Sequence, residues 1–114
     1  MKKIISLTFL VLLCFTFFSC TSTYTVTYYN NEGISFHIVG SGADIKERMY
    51  IKHQDNTVYK AETISNGYPS APEDPTREGY VFLGWYQNPE CTEEFLFGYH
   101  KIHSDINLYA KWGK

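Results

Sequence analysis

The sequence has 114 residues and a formal net charge of -2, with 19% charged and 18% aromatic side chains. This length leaves room for one domain after any targeting segment is removed. The charge excludes a basic field of the kind that binds nucleic acid. The high aromatic share predicts that rings supply much of the core that so small a domain can bury.

Residues 1–19 have the composition of a secretory signal peptide. Met1–Lys3 is basic, and the apolar run Ile4–Phe18 is too short to span a hydrocarbon core, which needs about 20 residues. Such a run is typical of the h-region of an exported protein. It is followed directly by Ser19 and Cys20.

This junction resembles a bacterial lipobox, in which a small residue precedes the lipid-bearing cysteine. The resemblance implies cleavage after Ser19, diacylglycerol and acyl chains on Cys20, and a short lipidated tether over 20–23. The two phenylalanines before Ser19 depart from the usual leucine and small residue. Ordinary cleavage after Ser19 or Ser22 is the alternative, and it would release a soluble secreted protein.

Lipidation would attach the protein to the membrane through Cys20, since two or more acyl chains give stable anchoring. Thr21 is not acidic, so no inner-membrane retention signal follows the anchor. We therefore expect a cell-envelope lipoprotein in the outer membrane, with the choice of leaflet open.

Cysteine usage leaves no disulfide framework in the mature chain. Cys14 is removed with the signal, Cys20 carries the lipid, and Cys91 then has no partner. An exported domain of this size without disulfides must draw its stability from its core.

Strand patterns begin directly after the tether. Tyr24–Tyr29 and Ile34–Val39 contain β-branched and aromatic residues in alternation. The turn-forming residues 30–33 between them predict a first hairpin.

The next segment allows two interpretations. Residues 49–64 predict a second hairpin that turns at 53–56, because their aromatic and β-branched residues are poor helix formers. A short helix that begins at Asp44, with Glu47 completing a capping box, is the alternative.

Three of the four prolines fall within 69–75. The stretch 66–79 therefore cannot form a regular strand or helix, and we expect it to cross the surface in an extended, polyproline-like path. A buried strand at Tyr80–Tyr86 and an alternating strand at Ile106–Trp112 follow. The predicted domain is therefore mainly β.

Three stretches resemble the Listeria–Bacteroides repeat, also called the internalin-B-type repeat. They are YTVTYYNNEG at 24–33, NGYPSAPEDPTREGYVFLGWYQNPECTEEFLF at 66–97 and DINLYAKW at 105–112, in the family's order. The motifs PTREGY-x-F-x-GWY and LYAKW are specific for so short a domain.

The resemblance implies a small β-grasp-like sheet domain of about four core strands over residues 24–114, displayed on the cell surface, with no catalytic activity and no cofactor. Residues 34–65 are longer than the segment that the family usually carries, so we expect an insertion there that adds the extra hairpin. The family typically occurs in tandem or on larger surface proteins, whereas this chain contains one copy.

Burial in this domain is expected to fall on the rings and glycine of the motif and on alternating strand residues. A buried aromatic side chain removes about 150–250 Å² from water, which is worth several kcal/mol as an upper bound. The predicted core residues are Val26, Tyr80, Phe82, Gly84, Trp85, Leu108 and Trp112.

The predicted function is surface display, adhesion or protein–protein contact, through an exposed edge strand that accepts a partner's strand. Carbohydrate binding is the alternative, and it would use tyrosines that lie together on the solvent side. The candidate tyrosines are Tyr29, Tyr50, Tyr59, Tyr86 and Tyr109. The expected partners are the membrane, through acylated Cys20, and a host or envelope protein or glycan, but no nucleic acid.

Two chemical alternatives have weaker support. Cys91 with His100 or His103 could form a nucleophile and base, but no orienting motif accompanies them. The two histidines with Asp105 or the acidic pair at 93–94 could hold a metal loosely. Packing and solvent exposure explain these residues better, so we expect no catalytic or metal site.

Overall fold

A computed structural model describes residues 22–114, which form one mixed sheet of six strands. The strands are β1 (Tyr24–Tyr29), β2 (Ile34–Val39), β3 (Lys46–Ile51), β4 (Val58–Ile64), β5 (Val81–Tyr86) and β6 (Ile106–Gly113). A short 3-10 helix at Gly42–Asp44 precedes β3. The predicted mainly β class is confirmed, while the grasp-like arrangement stays a prediction. The predicted signal peptide and Cys20 lie outside the described residues.

β1 and β2 run in the same direction and do not form the first hairpin that the sequence predicted. Both strands are parallel to β6, with Val26 opposite Ile106 and Phe36 opposite Gly113. That prediction was wrong because residues 30–33 bend the chain without reversing it.

The bend between β1 and β2 is held by contacts from distant parts of the chain. Asn31 adopts a left-handed φ of 54°, and Trp112 donates a 2.6 Å hydrogen bond from Nε1 to the carbonyl of Asn30. A side chain at Gly33 would collide with the backbone carbonyl of His53. The turn-forming sequence therefore accommodates a close crossing of backbones instead of a reversal.

The chain reverses at residues 40–45, which makes one long antiparallel ribbon from four strands. Ile34 pairs with Ile51 in one half, and Tyr24 pairs with Ile64 in the other. We call β2–β3 the distal half of the ribbon and β1–β4 the proximal half.

The second predicted hairpin, over 49–64, was also wrong. β3 and β4 follow each other along the ribbon, and the predicted turn at 53–56 lies where the two halves separate. The alternative helix from Asp44 does not form either, because the 3-10 helix ends at that residue and strand β3 follows. Local composition located the strands, but it could not show which strand each one joins.

β6 is the central strand of the sheet. β1 lies along its first half, β2 meets it at Gly113, and β5 lies antiparallel on its other edge. The strand order is β3-β2-β6-β1-β4, with β5 beside β6. Leu108, Ala110 and Trp112 alternate along β6 and are buried on one side of the sheet.

The stretch 66–79, which we call the proline path, covers that side of the sheet. We call the covered side the closed face. Pro69, Pro72 and Pro75 are all buried. Their spacing matches polyproline II, which has three residues per turn and so aims every third residue the same way. The hydroxyl of Tyr59 donates a 2.7 Å hydrogen bond to the backbone of this path.

Two hydrophobic clusters lie on opposite faces of the sheet. The main core lies beneath the proline path and contains Val26, Tyr28, Trp85, Phe95, Ile102, Leu108, Ala110 and Trp112. The smaller cluster contains Ile34, Phe36 and Cys91, with Tyr86 packed against it. We call the side that carries this second cluster the open face.

Candidate functional site

The aromatic motif at 75–86 mainly builds the core. Trp85 is 3% exposed, and its ring centroid lies 4.9 Å from that of Tyr28 and 5.3 Å from that of Phe82. Gly84 has a φ of 132° at a register shift in β5, a conformation that residues with a Cβ rarely adopt.

The seven predicted core residues occupy two levels of burial. Val26, Trp85, Leu108 and Trp112 are buried, whereas Tyr80, Phe82 and Gly84 are half-buried. Tyr80 and Phe82 pack against the main core from its margin. The guanidinium carbon of Arg77 lies 3.6 Å from the centre of the Tyr80 ring and shields it from solvent.

The five tyrosines considered for binding do not share one surface. Tyr29 and Tyr109 stack on the open face, with ring centroids 5.2 Å apart and ring planes at 14°. Tyr86 packs against the open-face cluster, and Tyr59 packs against the main core. Tyr50 lies on β3 in the distal half. Tyr29, Tyr86 and Tyr109 thus lie on the open face, since Tyr86 is the cross-strand partner of Tyr109, while Tyr59 and Tyr50 lie elsewhere.

Lys111 covers the open-face cluster. Its Nζ lies 4.7 Å from the ring centroid of Phe36 and 5.4 Å from that of Tyr86. The same nitrogen forms a 3.1 Å ion pair with Glu47 of β3. These contacts tie the distal half of the ribbon to β6.

Asn31 is a buried polar residue that the sequence analysis missed. It is 2% exposed, and its Nδ2 donates hydrogen bonds to the carbonyls of Pro89 at 3.1 Å and Ala110 at 3.0 Å. The turn-forming residues 30–33 were the available signal, because asparagine tolerates a left-handed φ. Its partners lie far away in the sequence and could not be predicted.

Cys91 lies beside Asn31 and acts as a packing residue. The residue is 6% exposed, and its thiol donates a 3.4 Å hydrogen bond to the carbonyl of Pro89. Burial raises the pKa of the Cys91 thiol to about 12, although Lys111 opposes the shift. A thiol with this pKa stays protonated at neutral pH and is a poor nucleophile.

The two histidines considered for catalysis or metal binding lie in the segment 98–105. The Nδ1 atom of His100 accepts a 2.9 Å hydrogen bond from the backbone N–H of Leu96. Across residues 22–114, no group of three His, Cys, Asp or Glu side chains is placed to hold a metal ion. His100 therefore has a local structural role.

A concave surface runs along the distal half, on the side opposite the open-face cluster. Its outer part, about 630 Å³, lies at the hairpin tip and is lined by Lys46, Arg48 and Tyr50. Its inner part, about 320 Å³, is lined by Tyr50, Lys52 and Arg77. The two parts meet at Tyr50, and we call the combined surface the distal trough.

Rings and cations adjoin in the distal trough. The ring of His37 lies 4.4 Å from that of Tyr50. At the inner end, the Tyr80 ring is flanked by Arg77 at 3.6 Å and by Lys114 at 4.7 Å. The trough thus places flat apolar surfaces next to positive charge.

The family model of the Listeria-Bacteroides repeat domain matches residues 24–111. The chain belongs to this family. The resemblance seen in the motif residues is thereby confirmed. The match begins at the first residue of β1 and ends within β6, while the insertion expected at 34–65 stays a prediction.

Two relatives of this repeat protein come from Evansella cellulosilytica (strain ATCC 21833 / DSM 2522 / FERM P-1141 / JCM 9156 / N-4). One, described by name only as a membrane protein, is 46% identical over 77 residues, covering 56% of this chain and 11% of that protein. The other, described by name only as a Gly-rich membrane protein, is 36% identical over 77 residues, covering 56% of this chain and 9% of that protein. The chain thus spans about a tenth of the length of these relatives.

The described part of the repeat protein, residues 22–114, contains no helix that is both long and apolar enough to cross a membrane. The relatives' names are consistent with membrane association.

The distal trough of the repeat was not predicted from the sequence. Its cations come from β3 and the residue that follows it, from the proline path and from Lys114, so they form no charge run. The nearest local signal is the segment 46–52, in which lysine or arginine stands at positions 46, 48 and 52. Period-two spacing on a strand places these side chains on one face.

Proposed function

We propose that this repeat protein is a lipid-anchored, non-catalytic interaction module of the cell envelope. One structural observation carries the proposal: all six residues of β3 are exposed, and its outer edge has no partner strand among the described residues. Membership in the repeat family and the relatives' names support a surface protein. The protonated thiol of Cys91 also argues against nucleophilic catalysis.

The hydrogen-bond pattern of the ribbon defines which backbone groups a partner strand would meet. The N–H of Lys52 donates to the carbonyl of Gly33 at 2.7 Å, so this pair belongs to the hydrogen-bonded positions of the ladder. Along an antiparallel pair, hydrogen-bonded positions alternate with non-hydrogen-bonded ones. The backbone N–H and C=O groups of Glu47, Met49 and Ile51 therefore point away from β2. A partner strand would pair with these three residues.

The charges on β3 oppose pairing between two copies of this edge. Consider two copies whose β3 strands pair around Arg48, in the register that keeps the equivalent sheet faces on the same side. The Arg48 side chains of the two copies would then lie opposite each other. A different protein is therefore the better partner. The module would then adhere by adding a foreign strand to β3.

The edge proposal is tested with the full chain, purified in detergent, immobilised and exposed to host and envelope extracts. Met49→Pro removes an outward backbone donor and blocks strand addition, while Met49→Thr changes the same side chain and keeps that donor. We expect Met49→Thr to retain the captured protein and Met49→Pro to lose it. Equal capture by both variants would refute edge pairing.

The membrane anchor is tested separately at Cys20. We expect Cys20→Ala to abolish fatty-acid labelling and to leave either unprocessed precursor or soluble protein. A labelled mass identical to that of the parent would refute the lipoprotein proposal.

Carbohydrate binding is the second candidate function. The observation that favours it is the distal trough, where the adjoining rings of His37 and Tyr50 lie next to cationic side chains. Aromatic rings of this kind can stack on the apolar face of a sugar. These are not the rings of the stacked Tyr29–Tyr109 pair, which lie on the opposite side of the sheet.

A further inference from the structure

The geometry points to the distal trough as a binding site for an acidic polysaccharide that bears carboxylate or sulfate groups. This inference rests on the proposed role as an envelope interaction module and names a ligand class for it. It concerns the face of the distal half, whereas strand addition concerns the edge of β3.

Charge segregation is the first support. Removing Lys2 and Lys3 with the signal leaves eight Lys and Arg against twelve Asp and Glu, so the mature chain is acidic. Five of the eight cations nevertheless line or flank the trough; they are Lys46, Arg48, Lys52, Arg77 and Lys114. A positive surface on an acidic protein attracts anions locally while the rest of the molecule repels them.

The trough cations are not neutralised by the protein. The ion pairs within residues 22–114 are Lys60–Glu62 and Lys111–Glu47, and neither involves a trough cation. Two carboxylates, Glu32 and Asp44, line the concavity, and Asp74 and Glu78 line the adjoining pocket with Arg77 and Tyr80, but none of the four forms an ion pair there. The local balance therefore stays positive.

Arg77 adds an oriented cation at the inner end of the trough. Its Nη1 is shielded from solvent and has no hydrogen-bond partner within the described part of the chain. Its guanidinium also stacks over Tyr80, which holds the plane in one orientation. The guanidinium lines the inner end of the trough, where its charge attracts a carboxylate or sulfate oxygen.

The shape of the trough favours an extended ligand. It runs beside β3, whose six residues span roughly 20 Å at about 3.3 Å per residue. Cations lie along this whole length, from Lys46 near the hairpin tip to Lys52 and Arg77 at the inner end. Charges spaced over such a distance match a linear polymer with repeated acidic groups.

The chemistry of the surface favours a glycan over an acidic peptide. The trough lies on a sheet face, where the backbone groups of β2 and β3 bond to each other and only side chains are presented. Tyr50 is 44% exposed and sits beside His37, which gives a ring face for stacking. A sugar ring uses both the aromatic face and the cations, whereas a poly-acidic peptide uses the cations alone.

The test measures binding of the full chain, in detergent, to immobilised polymers by biolayer interferometry. Polygalacturonate supplies carboxylates, dextran sulfate supplies sulfates, and plain dextran is the neutral control. Polyglutamate and single-stranded DNA represent the other acidic polymers. We expect binding to one or both acidic glycans that weakens with added salt, and no binding to dextran.

Three variants assign the binding to the trough. Arg48→Glu and Lys52→Glu should each weaken glycan binding roughly five- to tenfold. Lys101→Glu makes the same change in net charge at an exposed site beside Gly67, outside the trough, and should have little effect. Tyr50→Ala should weaken glycan binding roughly fivefold and leave polyglutamate binding unchanged. Near-UV circular dichroism confirms that each variant is folded.

Each outcome decides the inference. Polyglutamate or DNA binding as tight as glycan binding, or insensitivity to Tyr50→Ala, would overturn the glycan assignment. Equal losses in Lys101→Glu and Arg48→Glu would overturn the trough as the site, as would the absence of binding to any acidic glycan. If a protein is captured by the parent and by Arg48→Glu but not by Met49→Pro, the edge proposal remains intact even when glycan binding is absent. Failure of the trough inference is therefore distinguishable from failure of the edge proposal.

Discussion

The proximal and distal halves of the ribbon share the same antiparallel pairing but differ in what covers them. In the proximal half, β1 lies between β4 and β6 beneath the proline path, and Val26 and Tyr28 are fully buried. In the distal half, β2 meets β6 at Gly113, and every residue of β3 is exposed. Strand pairing alone therefore does not create a core, because a sheet face is buried only where a second layer packs on it.

This difference separates stability from recognition within one small domain. The proximal half contains the aromatic core that the motif residues build. The distal half presents an open edge and the trough, whose side chains are free to contact a partner. Changes in the proximal half should therefore affect folding, and changes in the distal half should affect binding.

The largest expected effect is that of Trp85→Ala, in the main core that includes Val26 and Tyr28 of the proximal half. Trp85 is 3% exposed, and its ring packs against those of Tyr28 and Phe82. Its removal should lower the free energy of unfolding by about 3–5 kcal/mol. The matched change in the distal half, Tyr50→Ala, should cost less than about 1 kcal/mol. Urea unfolding followed by circular dichroism measures both, and equal costs would show that the two halves do not differ as described.

The next effect concerns Asn31, at the junction of the two halves. Asn31→Gly keeps a left-handed φ but removes the hydrogen bonds to Pro89 and Ala110, so it should cost about 1–3 kcal/mol. Asn31→Ala should cost about 1 kcal/mol more, because alanine is strained at this φ. Urea titrations of the two variants separate hydrogen bonding from backbone strain. If Asn31→Ala and Asn31→Gly unfold at the same urea concentration, backbone strain at this φ does not contribute to the loss of stability.

A smaller effect is expected from the titration of Cys91. The folded-state pKa is about 12 and the ordinary value is 9.0. The thiolate therefore forms first in the unfolded chain, and the stabilisation present below about pH 9 is lost as the pH rises toward 12. By pH 10 this loss should be about 1 kcal/mol relative to pH 8.

Cys91→Ala is the control for that titration. Burial also raises the pKa of Tyr28, but this residue contributes the same pH dependence to both proteins. The difference between their urea midpoints at pH 8 and pH 10 therefore isolates the thiol. If the parent loses no more stability than Cys91→Ala over this range, the thiol is not buried as described.

The smallest effect is expected at the hairpin tip. Val39 pairs with Lys46, so residues 40–45 can be replaced by Asn-Gly, which closes a two-residue hairpin turn. Because no residue of this loop is buried, the free energy of unfolding should change by less than about 1 kcal/mol. Thermal melting and light scattering measure the result. A large loss of stability or new self-association would mean that the tip protects the sheet.

Strand positions were accessible from the sequence with small errors at their ends. Tyr24–Tyr29 and Ile34–Val39 were predicted with the bounds that the structure shows, and the last two strands differ by one residue each. The prolines at 69–75 also indicated an irregular path. Alternation, β-branching and prolines act on neighbouring residues, so the sequence shows them directly.

The pairing of those strands was not accessible in the same way. The residues 30–33 carry turn chemistry that is compatible with a hairpin or with a bend. The bend is selected by Trp112 and by the distant carbonyls that Asn31 contacts. An isolated segment carries no information about such partners.

The sequence by itself determined the mainly β class, the strand positions and the repeat family, because these depend on local alternation and on motifs that are continuous in the chain. The tertiary structure alone decided the long ribbon, the buried contacts of Asn31 and Cys91, and the distal trough. Each of these joins residues that are far apart in sequence, such as Lys52 and Lys114 at the inner end of the trough. Their proximity follows from the order of strands around β6, which local propensities do not specify.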